Sequence, residues 1–213
     1  MKASVIGTGR MGQGLVKILQ GHVPNLRWGS RSKEKAEGLI RENGYTGVAA
    51  ADIGEALDSD MIIHSLWFRD VLPWAEAHRD RLAGKILVDI VNPFTEDFSD
   101  FTTEWGESAA ELLQAHLPQT KVVGAFKNTF FRVFDNPVLD GLKSDVYVTS
   151  DDAAAKASVL ELLRGIPFRV LDGGALNNNR TIERMTLFER ELAIRYGFYP
   201  NVSFRLFGLR DGI

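Results

Sequence analysis

The chain has 213 residues, of which 45% are hydrophobic, 10% aromatic and 25% charged, the proportions of an ordinary globular fold large enough for one sizeable domain or one domain with an appendage. Its 25 basic and 28 acidic side chains sum to −3, which argues against a charge-driven partnership with nucleic acid or an anionic membrane, and the absence of cysteine excludes disulfides, thiolate metal sites and cysteine nucleophiles together. No apolar run approaches the ~18 residues of a membrane span, and folded-looking sequence begins at once, so a cytoplasmic protein without a membrane part is expected.

Residues 3–6 are a short apolar strand, and residues 11–20 carry Met11, Leu15, Ile18 and Leu19 at helical spacing. A second strand spans 25–30, followed by a charged helix over 32–40. The runs 61–65 and 86–91 are almost continuously apolar, as parallel strands covered on both faces should be. Two further strands cover 121–126 and 145–149. Asp151 and Asp152 suit a helix start, the helix runs to about Arg164, and 167–171 is a last strand. Gly173-Gly174 breaks the chain before a long amphipathic helix over 176–196, in which Ile182, Met185, Leu192 and Tyr196 share a face with Phe188 and Ala193 close by. Strand alternating with helix predicts an α/β chain: a Rossmann-type, doubly wound parallel sheet with a small C-terminal α/β extension and a long final helix.

Gly7-Thr8-Gly9-Arg10-Met11-Gly12 is a G-x-G-x-x-G placed directly after the first strand and opening the first helix, the context that makes this spacing meaningful. Gly7 permits the tight turn, Gly9 lets backbone approach a pyrophosphate, and Gly12 lets helix and strand pack closely. Amides of Gly9, Arg10 and Met11 at the helix start then face a diphosphate. An NAD site would place Asp or Glu at the end of the second strand to take the ribose hydroxyls. Here Ser30-Arg31-Ser32 stands instead, with Lys35 a turn further on. A guanidinium fork and hydroxyls suit a 2′-phosphate, so NADP(H) is the expected dinucleotide.

Ligands of open α/β sheets lie beyond the carboxyl ends of the strands. Ser65, Leu66 and Trp67 therefore border the nicotinamide, with Trp67 and Phe68 available as flat walls or as core aromatics. Asn92, before Pro93, offers its amide to the cofactor or to its own turn. The four histidines show no H-x-x-x-H spacing, no G-x-S-x-G occurs, and no metal site is expected. Glu183, Arg184, Glu189 and Arg190 are read as ion pairs on a helix surface.

These motifs together resemble the NADP oxidoreductase family that depends on the deazaflavin coenzyme F420. Ile6 to Gly12 is similar to its first turn, and Ser30, Arg31 and Lys35 stand at the positions of its NADP-selecting segment. Residues 108–113 match a helix after the fifth strand, and residues 171–183 are similar to its C-terminal signature. The resemblance implies a Rossmann domain over 1–150 and a small domain over 151–213 that covers the cleft. It also implies hydride transfer between NADPH and a deazaflavin or flavin-type acceptor such as FMN. Phe126, Asn128 and Thr129 would line the acceptor side.

The chain departs from the family at Lys127 and in the aromatic run Phe130-Phe131-Arg132-Val133-Phe134. Lys127 and Arg132 are candidate partners for an anionic acceptor tail. A second reading is an NADP-dependent dehydrogenase or imine reductase, with Lys127 as proton donor. A third is a non-catalytic NADP(H)-binding redox sensor. The apolar face of the last helix also predicts a homodimer.

Overall fold

The structure, a computed structural model, describes residues 1–209. In chain order its elements are β1 (Ala3–Ile6), α1 (Arg10–Leu19), β2 (Leu26–Gly29), α2 (Lys33–Asn43), β3 (Val48–Ala51), α3 (Ile53–Leu57), β4 (Met61–His64), α4 (Phe68–Ala77), α5 (Arg79–Leu82), β5 (Ile86–Asp89), α6 (Ala109–His116), β6 (Lys121–Gly124), β7 (Val138–Leu139), β8 (Leu142–Lys143), β9 (Asp145–Val148), α7 (Ala153–Leu162), β10 (Arg169–Asp172) and α8 (Asn179–Arg195).

Six strands form one parallel sheet in the order β3-β2-β1-β4-β5-β6, the doubly wound arrangement expected from the alternation of strands and helices. The order reverses between β1 and β4, which opens a crevice at the carboxyl ends of the strands. Register sets what lines it: Ile6 pairs with Gly29 and His64, His64 with Asp89, and Asp89 with Gly124, in one row across the rim. Apolar side chains fill both faces. One core joins β1, β4 and α1 to Val146, Val148, Ala155, Val159 and Phe168 of the C-terminal segments, and the other packs α3, α4 and α6 against the opposite face. Apolar packing therefore runs unbroken from the sheet into the chain beyond residue 150.

That later chain adds a two-stranded parallel sheet, β9 with β10, which an antiparallel bridge between Gly124 and Thr149 fastens to the end of β6. Asp152 caps α7 by accepting from the Ala155 amide at 2.8 Å. β3 is absent from the sequence-predicted elements: it is alanine-rich and only partly buried, so it shows neither alternation nor a β-branched run. The last strand begins at Arg169 rather than 167, and a 3-10 turn, Leu176–Asn178, precedes α8.

The faces of α8 differ most from expectation. Ile182 and Ala193 are buried, but the rest of the inner face is polar: Asn179, Glu183, Thr186 and Glu189. Phe188, Ile194 and Tyr196 point outward and are exposed. The predicted surface ion pairs are not formed, because Glu183 and Glu189 are both inside.

Candidate active site

The turn between β1 and α1 has its carbonyls turned back into the protein. Ile6 O accepts from the Ser65 amide (2.9 Å) and hydroxyl (3.1 Å), Gly7 O from the Trp28 indole (2.8 Å), and Thr8 O from the Gln13 amide (3.1 Å). With these carbonyls engaged inward and no side chain capping α1, the helix start is left for an anion. Gly7 has φ +118°, and a Cβ there would lie 2.3 Å from Ser65 Oγ. At Gly12 a Cβ would lie 2.1 Å from Gly7 O, so glycine is what allows helix and strand to meet. Over Gly9 nothing stands within 4 Å of a would-be Cβ, which leaves open space where a pyrophosphate would lie. Trp28, fully buried, supports this turn in a way that no local sequence pattern signals.

At the end of β2, Ser30 is buried and its hydroxyl accepts from the Ser32 amide at 3.2 Å, while Ser32 caps α2 through the Lys35 amide. Arg31 and Lys35 are exposed, and among the described residues neither side chain has a hydrogen-bonded or ionic partner. Two unpaired cations and two serines therefore stand beside the expected adenosine ribose, with no carboxylate at the strand end.

From the turn a cavity of about 200 Å³ extends along the rim. Its floor is Gly9, Arg10, Met11, Ser65, Leu66 and Asn92, and its walls include Trp67, Phe94, Phe98, Phe130, Phe131 and Tyr199. The rings brace one another: Trp67 against Phe98 (6.0 Å between centroids), Phe94 against Phe98 (5.5 Å) and Phe130 against Tyr199 (5.4 Å). Arg10 lies over Phe131 at 4.1 Å. Asn92 Oδ1 and Thr129 Oγ1 are buried and unbonded on this lining, the state of groups that wait for a ligand. Among the described residues neither carboxylate, histidine nor lysine lines the cavity.

The charged groups sit behind it. Lys127 is 1% exposed, with its Nζ 2.7 Å from Asp89 and 2.8 Å from Glu183, and it donates to Val91 O at 2.5 Å. Glu183 accepts from the Ala109 amide (3.0 Å) at the start of α6, and His64 Nε2 lies 3.2 Å from Asp89. Burial alone would push Asp89 up, but the Lys127 ammonium and His64 override it and hold the carboxyl well below its usual range. Burial would lower Lys127, and the two carboxylates more than reverse that, so it stays charged. Burial raises Glu183, with Lys127 opposing. The Lys127 carbonyl accepts from Asn92 Nδ2 (2.7 Å) and Thr186 Oγ1 (2.6 Å), so the network fixes two residues of the cavity lining.

The predicted site residues thus divide. Gly9, Arg10, Met11, Ser65, Leu66, Trp67, Asn92 and Thr129 meet at one cavity. Phe126 does not: it takes φ +53° at the exit of β6 and packs into the core against Phe134 and Phe168. Asn128 is buried too, and its amide donates to Asp145 O at 2.7 Å. Phe68 begins α4 outside the lining. Lys127 is neither surface lysine nor free proton donor, because two carboxylates and a carbonyl occupy its ammonium. Arg132 is exposed and 3.5 Å from Asp135, and its guanidinium lies 5.8 Å from the ring of the lining residue Phe131 without itself lining the cavity. The sequence reading misses the rings at 94, 98 and 199 and the cation Arg190, since only the tertiary fold brings them to the rim. Among the described residues no group of three or more potential metal ligands occurs, and no helix is long and apolar enough to cross a membrane.

Comparison with known proteins adds to this geometry. The family described as NADP oxidoreductase, coenzyme F420-dependent, matches residues 2–93. The F420-dependent NADP reductase of Methanocaldococcus jannaschii is 33% identical over 92% of this chain and 94% of its own length. The metalloreductase STEAP3 of Rattus norvegicus is 29% identical over 87% of this chain, which spans 36% of that protein. A crystal structure from Arthrobacter sp. FB24, provisionally described as an F420-dependent NADP reductase, superposes with a TM-score of 0.83 at 25% identity, covering 97% of this chain and 99% of that one. An imine reductase of Bacillus cereus, at 16% identity and a TM-score of 0.64, shares the fold.

Proposed function

The chain belongs to the family of coenzyme F420-dependent NADP oxidoreductases, and on that premise we propose that it passes hydride between NADPH and a deazaflavin-class acceptor stacked in the aromatic cavity. The observation that carries this reading is the lining: a dinucleotide turn opens into walls of aromatic rings, and no carboxylate, histidine or lysine of the described residues stands among them. Reduction of a carbonyl or imine needs a proton donor at the reacting heteroatom, whereas transfer between ring carbons needs alignment and exclusion of water. NADPH held here would supply the hydride, and the proton that accompanies it onto the acceptor would come from bulk solvent rather than from a side chain of the lining.

The protein's part is to bind and orient. The amides of Gly9, Arg10 and Met11 hold the diphosphate, while Ser30, Arg31 and Lys35 select the 2′-phosphate. Leu66, Trp67 and Asn92 would border the nicotinamide, and Phe94, Phe98, Phe130 and Tyr199 would offer ring surface to the acceptor. Residues 151–213 act as the cover over the cleft, of which positions 210–213 lie outside the described residues. The exposed apolar side of α8, with Phe188 and Ile194, supports a homodimer. A cytoplasmic setting, expected from the sequence, belongs to the same proposal.

Steady-state oxidation of NADPH with purified F420 tests the reaction. Turnover with F420 and a clear preference over NADH is the expected result; turnover with a small imine but none with F420 would transfer the chain to the reductase reading. A monomeric mass by light scattering at micromolar concentration removes the dimer.

A further inference from the structure

Arg190 stands one helical turn beyond Thr186 on α8, half-buried, where two hollows meet. It lines the ring cavity and also a groove of about 680 Å³ on the outer side of α8, with Phe98 as the other shared wall. The other arginines of that groove are engaged. Arg184 donates to Thr103 O (3.0 Å), stacks on Trp105 (4.1 Å) and has Asp100 3.9 Å away, while Arg195 pairs with Glu191 at 2.6 Å. Arg190 has no hydrogen-bonded or ionic partner among the described residues, and its Nε is buried and unbonded.

A buried guanidinium Nε–H with nothing to donate to is unfavourable, and protein interiors seldom leave one. The ring of Tyr199, 5.7 Å from the Arg190 guanidinium, gives it a face but no acceptor. Thr129, 4% exposed, presents a second unbonded polar atom to the same cavity. No carboxylate of the described residues lines that cavity, and the groove's Asp100 and Glu191 face other arginines. What is missing beside Arg190 is an anion that none of the described residues supplies.

We propose that Arg190 is the acceptor-selecting residue of this site: it takes an anionic substituent, carboxylate or phosphate, borne by the acceptor in the ring cavity. The remainder of that molecule then leaves along the Phe98 and Trp105 wall of the groove, which leaves Phe188 and Ile194 to the dimer. This rests on the ring-acceptor reading above and adds to it the charge of the acceptor and the path of its tail. Of the sequence candidates for an anionic tail, Lys127 is buried between two carboxylates and Arg132 already faces Asp135 at 3.5 Å.

The test compares coenzyme F420, which carries a phosphodiester and glutamates, with the corresponding deazariboflavin, which keeps the ring but no anion. Each is titrated by fluorescence onto the full chain saturated with NADP⁺. Wild type should bind F420 about tenfold or more tightly than deazariboflavin. Arg190→Gln should lose that preference, Arg190→Lys should recover part of it, and the affinity of both variants for NADPH should stay at the wild-type value. A preference for F420 undiminished in Arg190→Gln overturns the assignment, and so does a loss of NADPH affinity in its place, which would mean that Arg190 serves the dinucleotide. Calorimetry of the NADP⁺-loaded protein with inorganic phosphate and with citrate separates the two anion sources and needs no deazaflavin. Binding of either that disappears in Arg190→Gln upholds the anion site even if neither deazaflavin binds, in which case the deazaflavin reading alone fails. Absence of any Arg190-dependent binding overturns the anion site itself.

Discussion

Arg31 is exposed and has no partner among the described residues beside the buried Ser30, so its whole value is available to a ligand. A charge-assisted, two-pronged bond to phosphate is worth about 1.5–3 kcal/mol, or roughly ten- to a hundredfold in affinity. Arg31→Ala should weaken NADPH binding by that factor and leave the weaker NADH binding unchanged, as calorimetry with both nucleotides would show; equal losses for the two would place Arg31 outside the phosphate site. Lys127 is the opposite case. From the sequence alone, Lys127→Met separates a ring-to-ring transfer, which tolerates it, from a carbonyl reductase, which does not. In the structure the substitution strands Asp89 and Glu183 as buried carboxylates and removes the donor to Val91 O. Leaving such charges uncompensated costs about 3–5 kcal/mol whatever the reaction. Lys127→Met is therefore expected to lower the urea midpoint strongly, and adding Glu183→Gln should restore part of the loss; an unchanged midpoint would refute the buried network.

At the scale of elements, α8 shows where periodicity misleads. Its apolar residues suggest an inward face through 182, 185, 192 and 196, yet the face actually covered carries Asn179, Glu183, Thr186 and Glu189. Most of these have tertiary work: Glu183 meets Lys127 and the start of α6, Asn179 donates to Thr149 Oγ1 at 2.8 Å, and Thr186 donates to the Lys127 carbonyl. Glu189 is different, since both its oxygens are buried and unbonded and burial pushes its pKa up to about 9. The folded state thus holds its proton across neutral pH while the unfolded chain releases it near the ordinary glutamate value. Because the native state binds the extra proton, stability falls as pH rises from about 4.5 towards 9. At pH 8 the penalty is on the order of 4–5 kcal/mol, which Glu189→Gln removes. Denaturant midpoints should therefore separate variant from wild type at pH 8 and converge near pH 5. A constant difference at both would mean that the carboxyl is ionised and solvated in the native state.

For the molecule as a whole, the local patterns carried far: β1, its glycine turn and α1 lie in one stretch of chain, and Ser30-Arg31 follows a strand whose end is readable from composition. What stayed hidden depends on long-range closure. Asp89, Lys127 and Glu183 meet only once β5, β6 and α8 are stacked, and the ring cavity draws Phe98, Phe130 and Tyr199 from three separate segments. No window of sequence contains either. The chain's far end shows the same dependence. Arg169 and Asp145 form a buried two-pronged pair, 2.6 and 2.7 Å, between β10 and β9. Around it the tail is secured: Arg169 donates to the carbonyls of Leu206 (2.7 Å) and Leu209 (2.8 Å), and Asp145 accepts from the Leu206 amide at 2.7 Å. That tail leads back to Tyr199, whose ring closes the cavity against Phe130. Removing Arg169 would leave Asp145 buried without its partner, at about 3–5 kcal/mol, or roughly 10 °C of melting temperature for a chain of this size. Arg169→Met should therefore melt lower and admit protease after residue 197. At temperatures where it remains folded it should bind NADPH normally, because the glycine turn is built from β1, β2 and β4, but show a raised KM for the acceptor. Calorimetric melting, limited proteolysis and the two binding measurements decide the matter together. A variant with a wild-type acceptor KM and a protease-accessible tail would show that Tyr199 keeps its place without the tail's anchor.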